Sequence, residues 1–395
     1  MRNLLERIAG RIRYMYWSYP DRIFAKIITF FTRNKPLQDV IVLESHNDFD
    51  CNAGAFYDYL LKHHYNEKYK IVWYLKNPVP RSLPKNVKGY RFFRPGFMQT
   101  YYRCVAKIIA NDNVFIPKAR SDQRLFYLTH GCITFKNVKG LIVVPEDMDY
   151  ILSGSSFYDP YVCENYSIPY PNQKMLHFGY PCNDCFYQDT PDEFQKISKE
   201  QYDRIILWMP TFRKGGGPGR NDSTAIQPLG IPLIEDLETY KNLNAFLQSR
   251  SMFLIIKIHP NQDLSDLKIT DLSNIKVVTA QTAKALDLDN SRLMKCSDAV
   301  ISDYSSAAFQ YLLLNRPIAF VLSDFKEYKR GLIVDDIASF FPGDFIYTYD
   351  DLTGFLERVS AGSDRFFEKR TELRSLLYAY QDGNACKRLA EFMEL

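Results

Sequence analysis

Short apolar runs alternate with segments of helical periodicity along most of this chain. In its first half the apolar runs predict strands at residues 40–44, 69–75, 87–93, 107–110, 125–128, 150–152 and 175–178, with helices near residues 53–63 and 97–105. Runs of this length, bounded by polar loops, are typical of a parallel sheet that is covered on both faces.

A second alternating series follows a polar stretch near residues 188–200. It predicts strands at residues 205–208, 253–258, 275–278, 298–303 and 317–322, and helices near residues 234–247, 351–359 and 365–393. The pattern therefore predicts an α/β protein of the GT-B type, with Rossmann-like domains at residues 37–187 and 188–395 that face a central cleft. No Gly-x-Gly-x-x-Gly follows the first strand, which argues against a dinucleotide-dependent oxidoreductase.

Residues 1–36 form a segment of a different kind. The first 35 residues carry eight Lys and Arg side chains against two acidic ones, a local charge of +6. Leu4, Ile8, Ile12 and Met15 recur at helical spacing, and no run approaches the ~18 apolar residues of a membrane span. A basic, aromatic, amphipathic segment is predicted to lie in the headgroup region of an anionic membrane. The alternative is that its apolar face docks on the core of the protein.

The composition of the chain mainly argues against certain classes of protein and of binding site. The chain has 395 residues, 46% of them hydrophobic and 24% charged, which is typical of a globular protein, and its net charge of +4 does not favour nucleic acid as a partner. The eight cysteines lack zinc-site spacing, and the pair Cys182 and Cys185 has no thioredoxin-like context, so reduced thiols of a cytoplasmic protein are predicted. No signal peptide is expected.

Residues 298–303 form an apolar run that ends on Asp303, and a helical pattern starts immediately afterwards. Ser305 and Ser306 stand where that helix would begin. Hydroxyl groups, free N–H groups and the helix dipole would converge there on a small volume suited to an anion. In isolation the same pattern is also typical of an ordinary helix N-cap, so the prediction depends on further residues.

Cationic and imidazole side chains follow several other predicted strands. They are His130, Arg213, Lys257, His259 and Arg330. A crevice lined by such groups would stabilise the charge that builds on a departing phosphate. The glycine-rich residues 214–220 lack the ending of a P-loop and are predicted to be a flexible connection.

The motifs together resemble those of the CDP-glycerol glycerophosphotransferases, which build teichoic acids and related capsular polymers. The matching motifs, in chain order, are His130-Gly131, Gly179-Tyr-Pro-x-Asn183-Asp184, Pro210-Thr-Phe-Arg213, Lys257-x-His259-Pro260, Ser302-Asp-Tyr-Ser-Ser306 and Tyr328-x-x-Gly331. The resemblance spans residues 39–343, most of the chain.

This resemblance implies a peripheral enzyme on the cytoplasmic face of the cell membrane. Such an enzyme transfers glycerol phosphate, or a related polyol phosphate, from CDP-glycerol or CDP-ribitol to a hydroxyl of a lipid-linked or polymeric glycan acceptor, and it releases CMP. The domain at residues 37–187 would bind the acceptor and the domain at residues 188–395 the CDP-linked donor. No cofactor and no metal ion are expected.

The resemblance also assigns roles to individual residues. The catalytic residues would be His130, as general base, and His259; the donor phosphates would be bound by Arg213, Lys257, Asp303, Ser305, Ser306 and Arg330. The sequence departs from the family pattern after His130, where the usual proline is missing and Lys136 comes one place late. Cys182 replaces a common arginine. Because of these departures, the identities of the acceptor and of the polyol are less well defined by the resemblance than the CDP moiety of the donor.

Two alternative functions remain at this point. One is a nucleotide-sugar glycosyltransferase or epimerase of the GT-B fold, because a fold does not fix a function. The other is a catalytically inactive, membrane-associated scaffold for polymer assembly. Release of UDP instead of CMP would indicate the nucleotide-sugar enzyme. Absence of any turnover would indicate the inactive scaffold. The number of units that are added and the oligomeric state stay open.

Overall fold

The computed structural model of the protein describes residues 2–215 and 221–395, and within the first helix it describes the side chains of residue 12 and of residues 15 onward. Residues 216–220 of the predicted flexible connection, and the side chains of Leu4 and Ile8, therefore lie outside the described residues. The chain forms two compact units: Met1–Gly131, Lys139–Asp184 and Tyr378–Leu395 make up the first, and Cys132–Val138 and Cys185–Leu377 make up the second.

Both units contain a parallel sheet. In the described part of the first unit the sheet order is β3-β2-β1-β4-β5-β6-β7, with β1 Gln38–Glu44, β2 Lys70–Leu75, β3 Val87–Arg91, β4 Ala106–Asn111, β5 Arg124–Tyr127, β6 Tyr150–Leu152 and β7 Met175–Leu176. In the second unit it is β10-β9-β8-β11-β12-β13, with β8 Arg204–Trp208, β9 Met252–Lys257, β10 Ile275–Val278, β11 Ala299–Ser302, β12 Ile318–Val321 and β13 Asp344–Ile346. Each order reverses direction once, as in the Rossmann fold.

Helices connect and flank the strands. They are α1 Arg2–Thr32, α2 Cys51–Lys62, α3 Tyr65–Lys68, α4 Phe97–Val105, α5 Asp159–Tyr166, α6 Leu237–Gln248, α7 Ala280–Ala285, α8 Asn290–Cys296, α9 Ser306–Tyr311, α10 Ile337–Phe340, α11 Tyr349–Ser360, α12 Phe367–Leu377 and α13 Ala385–Phe392. Short 3₁₀ turns occur at Pro181–Phe186, Glu193–Lys196, Leu264–Asp266, Leu312–Leu314 and Phe325–Glu327.

The C-terminal helical region differs from the prediction in two ways. It is interrupted by the non-helical residues 378–384, which separate α12 from α13 and include Gly383 with a φ of 69°. Residues 378–395 also belong to the first unit, whereas the prediction grouped them with residues 188–395. The carboxylate of Asp184 accepts the N–H groups of Ala385 and Cys386 at 2.9 and 2.8 Å, which ties α13 to the first unit.

One face of α1 docks on the first unit. Trp17, Asp21 and Ile28 are buried on this face. The carboxylate of Asp21 accepts from Arg103 at 2.6 Å and from the hydroxyl of Thr100 at 2.7 Å, so α1 is pinned to α4 by a buried ion pair. This face of α1 therefore docks on the core of the protein, which was the alternative to membrane contact.

A different face of α1 is apolar and exposed. This apolar stripe consists of Ile12, Met15, Tyr16, Tyr19, Ile23, Ile27, Phe30 and Phe31, whose side chains are 44–71% exposed. Their spacing of three to four residues places them along one side of the helix. Within the described part of the chain, every helix is too short or too polar to cross a bilayer. Contact of the stripe with a membrane surface stays a prediction.

Candidate active site

His130 lies on a turn that follows β5. Thr129 before it has a φ of 61° and Gly131 after it a φ of 80°. The left-handed region is costly for a threonine, so the surrounding contacts hold the turn in place. The side-chain amide of Asn52 donates to the carbonyl oxygens of residues 128, 129 and 131 at 2.9–3.0 Å. This clamp fixes the backbone and leaves the imidazole of His130 exposed.

A second imidazole lies against His130. His46 follows β1, and the centroids of the two rings are 4.2 Å apart with their planes tilted by 34°. Burial, together with the nearby ammonium of Lys76, lowers the pKa of His46 below its ordinary value. A neutral ring therefore supports His130 without placing a positive charge beside it. His46 was not among the residues predicted from the sequence, although it follows a predicted strand as the other candidates do.

In the second unit, four neighbouring strands end at one edge of the sheet with polar residues. Parallel strands β9, β8, β11 and β12 are adjacent, so the residues that follow them lie near one another. These residues are Lys257 and His259 after β9, Thr211 and Arg213 after β8, Asp303, Ser305 and Ser306 after β11, and Asp324 after β12. The predicted anion-binding residues of this unit are thus brought to one edge, which we call the strand-end site.

Arg213 is buried between carboxylates. Its Nε and Nη2 donate to the two oxygens of Asp324 at 2.6 and 2.9 Å, and its Nη1 donates to Asp303 at 2.7 Å. Burial by itself would lower the pKa of this guanidinium, but the two carboxylates raise it above its ordinary value. Tyr304 donates its hydroxyl to Asp324 at 3.1 Å. These bonds occupy most of the N–H groups of Arg213. Since Arg213 follows β8, Asp303 follows β11 and Asp324 follows β12, they also join the ends of these three strands.

Asp303 is also committed to protein contacts. It accepts from the N–H and the hydroxyl of Thr211 at 2.8 and 2.5 Å, and its side chain is 1% exposed. Burial acts to raise the pKa of Asp303, but the charges of Arg213 and Lys136 lower it below its ordinary value. A buried carboxylate of this kind orients the groups that donate to it, and as an anion without a donor it does not itself bind a phosphate.

Lys136 reaches the strand-end site on the segment Cys132–Val138. The backbone of this segment forms hydrogen bonds of 3.1 and 2.9 Å with residues 331–333, and the Nζ of Lys136 donates to the hydroxyl of Thr211 at 3.0 Å. In the sequence, Lys136 stands out only as a lysine that comes one place late in a motif. Its place beside Thr211 makes it a further candidate for phosphate binding, which the spacing of a single motif could not reveal.

Lys257 ends β9 as a nearly buried ammonium. The residue is 7% exposed and forms no ion pair with a carboxylate of the described chain. Burial lowers the pKa of Lys257 below its ordinary value, and the more distant Asp289 acts weakly in the opposite direction. A buried cation without a counter-ion is unfavourable, so this position suits a bound anion that restores the charge balance.

The geometry of His259 selects one of its tautomers. Its Nδ1 accepts the N–H of Asn261 at 3.1 Å, and its ring packs against Phe212 with 4.8 Å between centroids. A ring nitrogen that accepts a hydrogen bond carries no proton in the neutral imidazole, so the proton lies on Nε2. His259 therefore has an N–H group that is suited to donate to an oxygen anion.

Ser305 and Ser306 begin α9 as predicted. The Oγ of Ser305 accepts the N–H of Ala307 at 3.4 Å, which makes Ser305 the N-cap, while the hydroxyl of Ser306 forms no hydrogen bond with a described residue. The helix has only six residues, so its dipole is weaker than that of a longer helix. The two hydroxyls are the stronger part of this anion site.

Arg330 lies at the border of the same network. Its Nε is 3.2 Å from the carboxylate of Asp222, and the N–H of Asp222 donates to the carbonyl of Arg213 at 3.0 Å. The Nη2 of Arg330 is buried and has no hydrogen-bond partner in the described chain. An unsatisfied guanidinium nitrogen at this border is a candidate ligand for a phosphate oxygen.

The sequence matches a known family over most of its length. A model of the family described as CDP-Glycerol:Poly(glycerophosphate) glycerophosphotransferase matches residues 27–395. The chain belongs to this glycerophosphotransferase family. The teichoic acid glycerol-phosphate primase of Bacillus subtilis is 25% identical over 94% of this chain and 96% of that protein. The teichoic acid poly(glycerol phosphate) polymerase of Bacillus spizizenii is 24% identical over 82% of this chain and 84% of that protein.

Solved structures of the wall teichoic acid polymerase TagF share the fold of this glycerophosphotransferase. One has a TM-score of 0.75 at 18% identity and covers 100% of this chain and 96% of that one. The predicted α/β fold class, with two Rossmann-like parallel sheets, is therefore confirmed. A further TagF structure, of a variant soaked with CDPG, has a TM-score of 0.72.

Membership of the glycerophosphotransferase family confirms the resemblance that was drawn from the motifs. It also confirms the predicted enzyme class, which is CDP-glycerol-dependent transfer of glycerophosphate in teichoic acid synthesis. The nucleotide-sugar enzyme and the inactive scaffold are correspondingly disfavoured. The roles of single residues, the use of ribitol, the lipid linkage of the acceptor and the membrane contact stay predictions.

Within the described residues of this glycerophosphotransferase, no group of three or more His, Cys, Asp or Glu side chains is arranged to hold a metal ion. All eight cysteines are free thiols, including the close pair Cys182 and Cys185. The strand-end site carries cationic side chains and hydroxyls, among them Lys257, Ser305 and Ser306.

Proposed function

We propose that this glycerophosphotransferase binds the diphosphate of CDP-glycerol, or of CDP-ribitol, at the strand-end site and transfers the polyol phosphate to a hydroxyl of a lipid-linked glycan, with release of CMP. The observation that carries the proposal is Lys257, a nearly buried ammonium that lacks an ion-pair partner among the described residues. A diphosphate would supply the missing negative charge.

The charges around Lys257 support this assignment. The positive charges of Arg213 and Lys136 are balanced by the carboxylates of Asp303 and Asp324, which leaves Lys257 in excess. We therefore assign Arg213 and Asp303 to positioning rather than to direct phosphate contact. Their ion pair holds the strand ends at a fixed spacing, so a phosphate meets preorganised groups.

The proposed reaction is a direct in-line displacement at the phosphorus that carries the polyol. His130 accepts the proton of the acceptor hydroxyl as this oxygen forms its bond to phosphorus. The bond from phosphorus to the CMP oxygen breaks, and negative charge builds on that oxygen. Lys257, the Nε2–H group of His259 and the hydroxyls of Ser305 and Ser306 stabilise this charge. His46 positions His130 through ring contact.

We place the enzyme at the cytoplasmic face of the membrane. The apolar stripe of α1 supports this placement, because eight large exposed apolar side chains on one helix face are unfavourable in water. Burial of each in the acyl boundary would contribute roughly 1.5–3 kcal/mol. A lipid-linked acceptor would be presented at the same surface.

The function is tested by supplying the purified enzyme and a short lipid-linked acceptor with CDP-glycerol, CDP-ribitol and UDP-sugars in parallel. Chromatography measures the release of CMP and UDP, and mass spectrometry identifies the units that are added to the acceptor. We expect CMP release with an added polyol phosphate. Release of UDP without CMP would contradict the proposal.

Substitution of Lys257 tests the proposed site. Lys257→Met should lower kcat/KM for the CDP-polyol about 10- to 100-fold, because a charge-assisted phosphate contact contributes about 1.5–3 kcal/mol. Lys241→Met removes an exposed lysine from α6 in the same unit and is the matched control. Equal effects of the two substitutions would remove Lys257 from the site.

A further inference from the structure

A groove of about 920 Å³ lies between α1 and the loop that follows β4. This α1 groove is walled on one side by α1, including Arg22 and Lys26, and by Arg33 directly after it, and on the other side by residues 117–119 and Arg103. All of these residues belong to the first unit. The groove takes no part in the reaction proposed above.

The α1 groove has an uncompensated positive charge. Arg22 and Lys26 lie four residues apart on α1, and Arg33 follows seven residues later, where its N–H still bonds to the carbonyl of Thr29 at 2.8 Å; the three therefore form a row about 16 Å long on one side. In the described chain none of the three forms an ion pair with a carboxylate. The other charges of the groove are paired, Asp21 with Arg103 and Lys118 with Asp149, at 2.6 and 2.9 Å.

The cationic row borders the apolar stripe of α1. Tyr19, Ile23 and Phe30 belong to the stripe and also line the groove, and Trp17 lies at its base. A ligand there would meet cations on one side and aromatic or aliphatic side chains on the other. This combination suits an amphiphile that has an anionic head and a hydrocarbon tail.

We propose that the α1 groove binds the phosphate headgroup of an anionic phospholipid, with the acyl chains along the apolar stripe. This proposal rests on the membrane contact proposed above and deepens it, since it assigns lipid selectivity to a defined site. A soluble phosphate ester lacks the acyl chains that would contact Tyr19, Ile23 and Phe30. A zwitterionic lipid does not neutralise the three cations.

Binding is measured with dihexanoyl-phosphatidylglycerol below its micelle concentration, so that no bilayer is present. The titration uses calorimetry and the fluorescence of Trp17, with a Trp17→Phe variant to assign the signal. We expect saturable binding of one lipid per chain. Its affinity should be at least about tenfold higher than for dihexanoyl-phosphatidylcholine or glycerol 1-phosphate, because the groove offers both net charge and apolar contact.

Paired substitutions locate the site. Arg22→Gln with Lys26→Gln should weaken the binding of dihexanoyl-phosphatidylglycerol at least about tenfold, because two of the three cations are lost. Lys35→Gln with Arg94→Gln removes the same charge from exposed positions of the first unit outside the groove and should leave the affinity within about threefold. CMP release by both variants in detergent should match the unsubstituted enzyme.

Three results would overturn the lipid site: affinity for glycerol 1-phosphate equal to that for the lipid, equal losses in the two variants, or no saturable binding. Flotation with phosphatidylglycerol vesicles, measured separately, tests the membrane contact itself. Vesicle binding without binding of the short-chain lipid would reject the groove and leave the membrane contact standing. Short-chain lipid binding without vesicle binding would support the groove and reject the membrane contact.

Discussion

Replacing Arg213 by Met would remove the guanidinium that joins three strand ends in the second unit. The substitution keeps a long side chain but leaves the carboxylates of Asp303 and Asp324, which are 1% and 8% exposed, without their main counter-ion. Removing one partner from a buried ion pair costs roughly 3–5 kcal/mol, because the other charge stays buried. We expect a loss of stability in this range, confined to the second unit.

The loss should depend on pH in a defined direction. The pKa of Asp303 lies below its ordinary value in the folded protein, so the stability that this carboxylate contributes is present at neutral pH and is lost as pH falls through the folded pKa. Without Arg213 that pKa would rise. The difference in stability between the variant and the unsubstituted protein should therefore be largest near neutral pH and shrink toward about pH 4.

Hydrogen exchange measured by mass spectrometry resolves the two units, which a single unfolding transition does not. Peptides from β8 and β11 should lose protection in Arg213→Met, while peptides from β1 and β4 keep it. Arg250→Met is the matched control: the guanidinium of Arg250 lies 3.1 Å from Glu357 in an exposed pair, which contributes less than about 1 kcal/mol. Equal protection of β8 and β11 in the two variants would refute the buried network.

Three further predictions concern the proposed site and the membrane contact. The KM for CDP-glycerol should rise at alkaline pH, because Lys257 loses its positive charge at a lower pH than an ordinary lysine does. Lys257→Arg should flatten this rise. A KM of the unsubstituted enzyme that does not change with pH would contradict the prediction. Asn52→Ala should lower kcat about tenfold with little change in the KM for CDP-glycerol, because the turn that carries His130 loses its clamp. The control is Asn66→Ala, which removes an amide that donates to the carbonyl of Lys85 at 3.0 Å at the surface; a change in KM alone would count against the clamp. Ile23→Ser with Phe30→Ser should reduce vesicle binding more than tenfold, since each side chain contributes roughly 1.5–3 kcal/mol when buried. The control, Ile226→Ser at a 90% exposed position of the second unit, should leave vesicle binding unchanged. Equal vesicle binding by the two variants would exclude the apolar stripe as the membrane contact.

The buried strands could be predicted from the sequence because parallel strands covered on both faces are nearly continuous apolar runs. The predicted strands at residues 150–152 and 275–278 and the predicted helix at residues 97–105 coincide with β6, β10 and α4. The strand β13 was missed, because it has only three residues and starts with an aspartate. The break before α13 was missed because a helical pattern continues on both sides of Gly383.

The candidate site was predictable as a set of strand-end residues, since parallel strands carry the residues after them to one edge of a sheet. Which residues pair with one another was not predictable. Arg213 bonds to Asp324, 111 positions away along the chain, and this long-range contact is the reason that we propose a positioning role for a residue predicted to bind phosphate. Lys136 was overlooked for the same reason, because it reaches Thr211 through tertiary structure, 75 positions away.

The role of His130 is the central claim, and one comparison tests it most directly. CDP-glycerol affinity, by calorimetry, and CMP release with a lipid-linked acceptor are measured for His130→Ala and for the unsubstituted enzyme. A general base contributes about 10²–10⁴-fold, so CMP release should fall by that factor while the Kd for CDP-glycerol stays within about threefold. Unchanged CMP release, or a fall fully explained by weaker CDP-glycerol binding, would contradict the account.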